Sequence, residues 1–159
     1  NGKTTVSMLA QHLLSKVEPV GLIGTVRYDV GARTFPAFRT TPEALDSFAL
    51  LDQMQQGGCA RAVMEVSSHG IDQERIWGIP FDTAVFMNLT QEHLDYHDDF
   101  ESYYQAKARL FKGVGAPAPR ISIVNIDDSW GKRLADEIFD QKEGLSFGKR
   151  ADARFLVFI

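Results

Sequence analysis

Short hydrophobic runs alternate with amphipathic segments along this chain, and that alternation constrains the fold more than any other feature. The runs are VGLIGTV (20–26), ARAVMEV (60–66), FDTAVFMNL (81–89) and RISIVNI (120–126), with GLSFG and ARFLVFI near the end. Nearly continuous hydrophobic strands are typical of parallel sheets that helices cover on both faces. The sequence therefore predicts an α/β fold, with a mostly parallel sheet and helices on both of its faces.

The first predicted helix spans residues 4–16 and ends before Pro19. Its hydrophobic residues recur at helical spacing, which predicts one buried face. That face would comprise Val6, Ala10, Leu13, Leu14 and Val17. A polar, arginine-containing stretch follows the first strand and extends to residue 39, where we expect a hairpin.

The second predicted helix has a clear start and stop. Thr41 is its expected N-cap, Pro42 its first helical residue, and Gly57 and Gly58 its stop. Three more helices are predicted: a short one at 71–77, one after His93, and one marked by the four-residue spacing of Trp130, Leu134 and Ile138. Together with the strands, they give the order expected of an α/β domain that binds ligands at the carboxyl ends of its strands.

Length, charge and cysteine content exclude several classes of protein. With 159 residues, the chain is most simply one domain with its own core. A net charge of −4 and a pI near 5.5 argue against a nonspecific nucleic-acid-binding protein. The single cysteine, Cys59, excludes an internal disulfide and fits the cytoplasm. No run is long enough to span a membrane, and no signal peptide opens the sequence.

Both ends of the sequence lie inside recognisable elements. The chain begins at Asn1 within the motif NGKTT, without a methionine, and it ends on the predicted strand ARFLVFI. We therefore expect this chain to be a segment of a larger protein.

The motif NGKTT directly precedes the first predicted helix. It is typical of the second half of a phosphate-binding loop, G-K-[ST]. In such a loop, backbone N–H groups at residues 1–5 cradle phosphate oxygens, Lys3 reaches the terminal phosphates and Thr4 can hold Mg²⁺. Asn1, Gly2, Lys3, Thr4 and Thr5 are therefore the candidate nucleotide-binding residues. The alternative is a capped helix start with a solvated lysine.

Polar residues also follow two of the predicted strands. Glu65 lies at the carboxyl end of the run ARAVMEV, where a nucleotide site places an acid for Mg²⁺ opposite the phosphate loop. Asn88 and His93 follow the next strand and are expected on the same edge. The alternatives are a solvated glutamate and a structural histidine. We interpret His69 and His97 as structural, with a position lining the cleft as the alternative for His97.

A lysine interrupts the apolar stripe of the helix FESYYQAKARLF (100–111). Lys107 lies at helical spacing from Phe100, Tyr103, Tyr104 and Phe111. Burial of an unpaired ammonium group is costly. Two interpretations follow: the side chain reaches water along the aromatic face, or its amine loses the proton, reacts with CO₂ and presents a carbamate to the metal.

Four segments resemble, in this order, the central ATPase domain of the Mur ligases: NGKTT, RTTPEALD, EVSSHGIDQERI and NLTQEHLDYHDDFESYYQAKARLF. The similarity is strong over residues 1–112 and looser through VNIDDSWGKRLA. EVSSHG followed by glutamine and arginine is its most specific part. Within the family, the chain is most similar to the branch that adds the third residue of the peptidoglycan stem peptide.

The resemblance implies a role for each matching position. Lys3 and Thr4 match the phosphate loop, and Glu65 and His93 match magnesium ligands. Lys107 matches a lysine that is carbamylated in this family, which favours the carbamate over the solvated lysine. The catalytic set is therefore Lys3, His93 and Lys107, and the metal set is Thr4, Glu65, His93 and the Lys107 carbamate. Positions matching contacts to the UDP-muramoyl dipeptide are Thr40, Thr41, Ser67, Gln73 and Arg75.

The resemblance also implies an activity: an ATP-dependent, Mg²⁺-dependent ligase of peptidoglycan biosynthesis that forms an amide bond through an acyl phosphate. Its substrates would be UDP-N-acetylmuramoyl-L-alanyl-D-glutamate and a diamino acid, meso-diaminopimelate or L-lysine. The family adds an N-terminal UDP-binding domain and a C-terminal amino-acid-selecting domain, so residues 1–159 would form part of the central ATP-binding domain. We expect a monomeric cytoplasmic enzyme without a nucleic-acid partner or a membrane span.

Two other classes of enzyme share some of these motifs. Folylpolyglutamate and cyanophycin synthetases share the phosphate loop and the lysine, but the TTP and EVSSHGIDQER segments argue against them. A P-loop NTPase without a ligase step would hydrolyse nucleotide in the absence of a muramoyl substrate. A catalytically silent nucleotide-binding module is disfavoured because Lys3, Glu65, His93 and Lys107 are all present.

Overall fold

The structure of the chain, a computed structural model, describes residues 1–90, 99–139, 143–149 and 155–156. The chain forms two compact units. The first unit is Gly2–Trp77, and the second is Gly78–Ile159 together with Asn1. Each unit has its own four-stranded sheet. Among the described residues, no helix is both long enough and apolar enough to cross a membrane.

The first unit combines a sheet of order β3-β2-β1-β4 with three helices. Its elements are α1 (Lys3–Leu14), β1 (Val20–Ile23), β2 (Arg27–Asp29), β3 (Thr34–Pro36), α2 (Ala44–Gln56), β4 (Arg61–Met64) and α3 (Ser68–Asp72). β1 and β4 run parallel, with Ile23 opposite Met64. β2 and β3 are antiparallel to their neighbours, which confirms the hairpin expected before residue 39.

Helix α2 packs directly on β1. All four residues of β1 are buried, as predicted for a covered strand. A Cβ atom at Gly21 would lie 2.4 Å from Sδ of Met54, so the glycine permits the close approach of α2 to the strand. The core around this contact consists of Ile23, Tyr28, Val30, Leu50 and Met54.

The buried face of α1 is polar, which differs from the prediction. Ser7 and Gln11 are only 6% and 5% exposed, whereas Leu13 and Val17 are 58% and 86% exposed. Gln11 can be buried because its Nε2 donates to the Val20 carbonyl at 3.1 Å, so the polar group keeps a partner. The existence of the helix is confirmed, but the predicted apolar face was wrong because hydrogen-bonded polar side chains occupy the interior side.

Helix α2 begins later than predicted. Glu43 is its N-cap, not Thr41. The Thr41 hydroxyl instead donates to the Glu65 carbonyl at 3.1 Å, and Thr41 is 1% exposed. The N-cap prediction for Thr41 was therefore wrong, because its side chain binds the end of another element. The predicted stop is confirmed, since the helix ends at Gln56 with Gly57 as its C-cap.

The second unit contains an entirely parallel sheet of order β5-β6-β7-β8. Its elements are β5 (Thr83–Phe86), α4 (Phe100–Lys112), β6 (Ile121–Asn125), α5 (Ser129–Ile138), β7 (Glu143–Gly148) and β8 (Phe155–Leu156). Its core joins the strands to α4 and α5 through residues that include Phe86, Tyr104, Phe111, Val124 and Leu134. The predicted α/β class with mostly parallel strand pairing is confirmed.

Candidate nucleotide and substrate site

The motif NGKTT forms a loop that leads directly into α1. Gly2 has a φ of 83°, in the left-handed region that glycine adopts without strain. Val6 donates its N–H to the Gly2 carbonyl at 3.0 Å. The N–H groups of Lys3, Thr4 and Thr5 precede that bond, at helix positions that have no intrahelical acceptor. Such a helix start favours phosphate binding through its N–H groups and its dipole.

The backbone of Asn1 is held by Asn88 within the second unit. Nδ2 of Asn88 donates to the Asn1 carbonyl at 3.0 Å. The loop that carries Asn88 is itself fixed, because Asn125 donates to the Met87 carbonyl at 2.9 Å. Leu89 donates its N–H to Asp128 at 3.1 Å. Asn88 therefore positions the first residue of the motif.

Glu65 directly follows β4, as predicted, and its carboxylate is buried. The residue is 3% exposed. Its N–H donates to the Ile23 carbonyl at 2.8 Å, which extends the parallel pairing of β1 and β4. The carboxylate oxygens accept four hydrogen bonds: from the Thr4 hydroxyl at 2.9 Å, the Ser7 hydroxyl at 3.1 Å, and the Thr25 N–H at 3.0 Å and hydroxyl at 2.9 Å. These donors compensate the cost of burying the charge.

The donor set around Glu65 fits magnesium. Thr4 and Glu65 contribute hydroxyl and carboxylate oxygens, which are the hard ligands that Mg²⁺ prefers. A Cβ atom at Gly24 would lie 2.6 Å from Oε1 of Glu65, so the backbone after β1 closes over the carboxylate. The described part of the chain contains no group of three or more His, Cys, Asp or Glu side chains that could hold a metal.

The predicted substrate-binding hydroxyls are connected to Glu65. Thr40 lies 3.0 Å from the Thr25 hydroxyl, which in turn donates to Glu65. Thr41 accepts the Ser67 N–H at 3.0 Å and lies 3.2 Å from the Ser67 hydroxyl. The four threonine and serine side chains and the acid thus form one continuous hydrogen-bonded network.

Ser67 also determines where α3 begins. Its hydroxyl accepts the N–H of Gly70 at 3.0 Å and caps the helix at Ser68, earlier than the predicted start at residue 71. A Cβ atom at Gly70 would lie 2.6 Å from Cγ2 of Thr41. The glycine therefore lets the first turn of α3 approach the buried threonine.

Arg75 and Gln73 lie beside this network. The Arg75 guanidinium donates to the Thr41 carbonyl at 3.1 Å and to the Gln73 side-chain oxygen. Its Nε lies 3.4 Å from Oε1 of Glu43, and the arginine side chain is only 14% exposed. All five predicted substrate residues are therefore brought together within the first unit.

In the second unit, the structure supports the stripe predicted for α4. Tyr103, Tyr104 and Phe111 are 3%, 0% and 2% exposed. Lys107 is half-buried on the same helix, and its Nζ lies 4.9 Å from the ring centroid of Tyr103. The predicted ligand His93 lies outside the described residues, as does His97.

The sequence reasoning missed two members of the network, Ser7 and Thr25. Both left a signal. Ser7 follows Thr4 by three residues and Gln11 follows Ser7 by four, which places all three on one face of α1. Thr25 follows Gly24 at the end of a buried strand, where functional side chains gather in α/β sheets.

Comparisons with a family model and with known proteins point to the same family. The model of the Mur ligase middle domain matches residues 1–157. A UDP-N-acetylmuramoyl-L-alanyl-D-glutamate--2,6-diaminopimelate ligase from Gloeobacter violaceus is 47% identical over 154 residues, covering 96% of this chain and 30% of that protein. The ligase of the same name from Geobacter metallireducens is 43% identical over 142 residues, covering 86% of this chain and 28% of that protein.

Solved structures that are similar to this chain also belong to Mur ligases. A structure of a UDP-N-acetylmuramoyl-L-alanyl-D-glutamate--2,6-diaminopimelate ligase superposes with a TM-score of 0.82 at 31% identity, covering 100% of this chain and 32% of that one. MurF from Acinetobacter baumannii shares the fold, with a TM-score of 0.64 at 19% identity over 96% of this chain and 30% of its own. The chain thus spans about three tenths of the length of these relatives. With its middle-domain match and these relatives, the chain belongs to the Mur ligase family.

Proposed function

We propose that this chain is part of the central ATP-binding domain of a ligase that adds diaminopimelate to UDP-N-acetylmuramoyl-L-alanyl-D-glutamate. The observation that carries the proposal is the network centred on Glu65. It connects Thr4 of the phosphate loop, through Thr25, to Thr40 of the predicted substrate site. The names of the similar ligases support the choice of substrate and the assignment to the MurE branch of the family.

ATP would bind with its phosphates at the start of α1. Lys3 lies in the first turn of that helix, where it can reach the terminal phosphates. Thr4 and Glu65 would hold Mg²⁺, together with His93 and Lys107. The ion, when bound, neutralises charge that develops on the transferred phosphoryl group.

The reaction is amide formation in two steps. A carboxylate oxygen of the D-glutamate side chain attacks the γ-phosphorus of ATP, which gives an acyl phosphate and ADP. The amine of the amino acid then attacks the acyl carbon, loses a proton and expels inorganic phosphate. The protein's contribution is mainly positioning and charge neutralisation.

Arg75 would pair with an anionic group of the muramoyl substrate, and Thr40, Thr41, Ser67 and Gln73 would support or contact the same molecule. The fork of the guanidinium group suits a planar carboxylate or a phosphate. The contact between Arg75 and Glu43 supports this role, because it shows that an anionic side chain can reach Nε.

Lys107 would act as a carbamate. Its unprotonated amine would add to CO₂ and release a proton, which gives an anionic carboxylate on a long side chain. The support for this role is the match of Lys107 to the carbamylated lysine of the family. Its half-buried Nζ lies 4.9 Å from the ring centroid of Tyr103, a distance at which an aromatic ring attracts an ammonium group. His93 would complete the catalytic set.

We further propose a monomeric cytoplasmic enzyme that uses UDP-linked and amino-acid substrates. Diaminopimelate is favoured over lysine as the amine because the similar ligases carry it in their names. Folylpolyglutamate or cyanophycin synthesis, and nucleotide hydrolysis without ligation, are the alternatives that the assay below separates.

The test uses the full-length protein with ATP, Mg²⁺ and the UDP-muramoyl dipeptide. Diaminopimelate and lysine are compared by mass spectrometry of the product and by release of phosphate. We expect a UDP-muramoyl tripeptide with diaminopimelate and little product with lysine. ATP turnover that does not depend on the dipeptide, or product formation only with a folate or a polyaspartate acceptor, would contradict the proposal.

A further inference from the structure

Thr25 lies between the candidate metal-binding acid and the candidate substrate site. Its hydroxyl is 2.9 Å from Oε2 of Glu65 and 3.0 Å from the Thr40 hydroxyl. Its N–H donates to the other carboxylate oxygen of Glu65 at 3.0 Å. Thr25 therefore holds both oxygens of the acid and contacts Thr40 at the same time.

The direction of these hydrogen bonds follows from the chemistry of the groups. A carboxylate accepts and does not donate, and a threonine hydroxyl has a single proton. The Thr25 proton is therefore directed at Glu65, and the remaining lone pairs of Thr25 can only accept. Thr40 must then donate its own proton to Thr25. The Thr40 oxygen is left to the substrate as an acceptor.

The neighbouring hydroxyls obey the same constraint. Thr41 donates its proton to the Glu65 carbonyl, which can only accept, so the Ser67 hydroxyl donates to Thr41. The Ser67 oxygen also accepts the N–H of Gly70 at 3.0 Å. The protons of Thr40, Thr41 and Ser67 are therefore all directed to protein atoms. Within the predicted substrate set, donation to an anionic substrate group falls to Arg75 and to the amide NH₂ of Gln73, and only Arg75 adds a positive charge.

We propose that Thr25 is a positioning residue that transmits the orientation imposed by Glu65 to Thr40. The Thr40 oxygen then accepts a hydrogen bond from an N–H or O–H group of the muramoyl substrate. The inference rests on the proposed function, because it names the chemistry of that same substrate site. Thr25 itself would touch neither the nucleotide nor the reacting atoms.

The experiment compares four variants of the full-length ligase with the wild type: Thr25→Val, Thr25→Ser, Thr40→Val and the double variant Thr25→Val/Thr40→Val. KM and kcat are measured separately for the UDP-muramoyl dipeptide and for ATP, and Tm is measured for each variant. Thr34→Val is the matched control, because it removes a hydroxyl from an exposed position on β3 of the same unit.

We expect Thr25→Val to raise KM for the dipeptide about tenfold, which corresponds to the loss of one hydrogen bond. KM for ATP should change by less than about threefold. Glu65 keeps three of its four donors in that variant, which protects the nucleotide side of the network. Thr25→Ser should restore most of the affinity, since serine retains the hydroxyl. The double variant should be no worse than Thr40→Val alone, because Thr25 acts through Thr40.

The inference is overturned if the effects of Thr25→Val and Thr40→Val multiply, if serine fails to rescue, or if KM rises equally for dipeptide and ATP. A loss of Tm shared by the valine and serine variants, with unchanged KM, would assign Thr25 a purely structural role and overturn it as well. These results leave the proposed function intact if the wild-type protein makes the tripeptide. A wild-type protein that forms no amide product overturns the proposed function and this inference together.

Discussion

The Thr4 hydroxyl donates a 2.9 Å hydrogen bond to the Glu65 carboxylate, which joins the first turn of α1 to the residue that follows β4. The two residues are far apart in sequence, and each belongs to a different motif. Their contact brings a phosphate-loop hydroxyl and a buried acid to one place. The proposed chemistry depends on this contact, and the predictions below probe the groups around it.

Removal of the Lys3 ammonium group should abolish productive ATP binding. A hydrogen bond to a charged group contributes about 1.5–3 kcal/mol, so Lys3→Ala should raise KM for ATP by at least tenfold. The measurement is the ATP dependence of tripeptide formation by the full-length protein. Lys16→Ala, at an exposed position just beyond α1, is the control and should behave as wild type. Near-normal ATP dependence of Lys3→Ala would mean that NGKTT is only a helix start.

Replacement of the Glu65 carboxylate by an amide should weaken both magnesium binding and the fold. In Glu65→Gln, one acceptor becomes an NH₂ donor that faces other donors, and a buried unsatisfied group costs about 1–3 kcal/mol. We expect a lower free energy of unfolding in denaturant titration and a higher Mg²⁺ requirement in the assay. Glu18→Gln, which removes only a surface ion pair with Arg61, should change stability by less than about 1 kcal/mol. Wild-type stability and Mg²⁺ dependence in Glu65→Gln would contradict the assigned role.

Removal of the Arg75 guanidinium should affect the muramoyl substrate selectively. Arg75→Ala should weaken its binding by about 1.5–3 kcal/mol, as expected for a lost charged hydrogen bond, and leave ATP affinity nearly unchanged. Isothermal titration of the two ligands separates these effects. Arg33→Ala is the control, since that exposed arginine lies on the hairpin and contacts Gln53. An equal loss of affinity for both ligands would indicate a folding defect instead.

Carbamylation of Lys107 predicts a nearly inactive Lys107→Ala that acetate or formate partly rescues, because a small carboxylate can occupy the vacated place. Lys107→Glu should recover less than full activity, since its side chain is shorter than a lysine carbamate. Extra density on Lys107 in a crystal structure would give direct support. A solvated lysine predicts the opposite: an active Lys107→Met, stabilised by a completed apolar stripe, with no effect of added anions. That outcome would rule out the carbamate.

The ion pair between α4 and α5 predicts a pH dependence. Arg133 donates to the two carboxylate oxygens of Glu101 at 2.6 and 2.8 Å. These bonds, followed by one from Gln105, lower the pKa of Glu101 from 4.5 to about 2. Because the folded-state pKa is depressed, this contribution to stability is present above pH 4.5 and is lost as the pH falls from 4.5 towards 2.

Arg133→Gln should return the pKa of Glu101 towards 4.5 and remove the pH-dependent part of stability in that window. The measurement is an NMR titration of labelled glutamate carboxyl carbons, together with acid unfolding. Arg120→Gln removes a separate exposed ion pair, to Asp82, and should leave the Glu101 titration unchanged. A Glu101 titration that is the same in Arg133→Gln and wild type would contradict the assigned cause.

The sequence by itself determined the order of the helices and strands, and the strands β1, β4, β5 and β6 lie inside the predicted hydrophobic runs. Hydrophobic runs predicted the strands because a covered strand must be apolar on both faces. Glu65 was correctly placed at the carboxyl end of β4, since it is the acid near the end of the hydrophobic run 60–66. Local signals of this kind need only neighbouring residues, so they can be read directly from the chain.

Only the tertiary structure decided which side of α1 faces inward and what Thr41 does. The helix buries Ser7 and Gln11, because Glu65 and the Val20 carbonyl lie where those side chains can bond. Thr41 does not cap α2, because its hydroxyl donates to the Glu65 carbonyl instead. Hydrophobic periodicity favours the apolar face of a helix, but a hydrogen-bonding partner distant in sequence reverses that preference. The location of such a partner is fixed only when the strands have paired, so the sequence of the helix alone does not predict it.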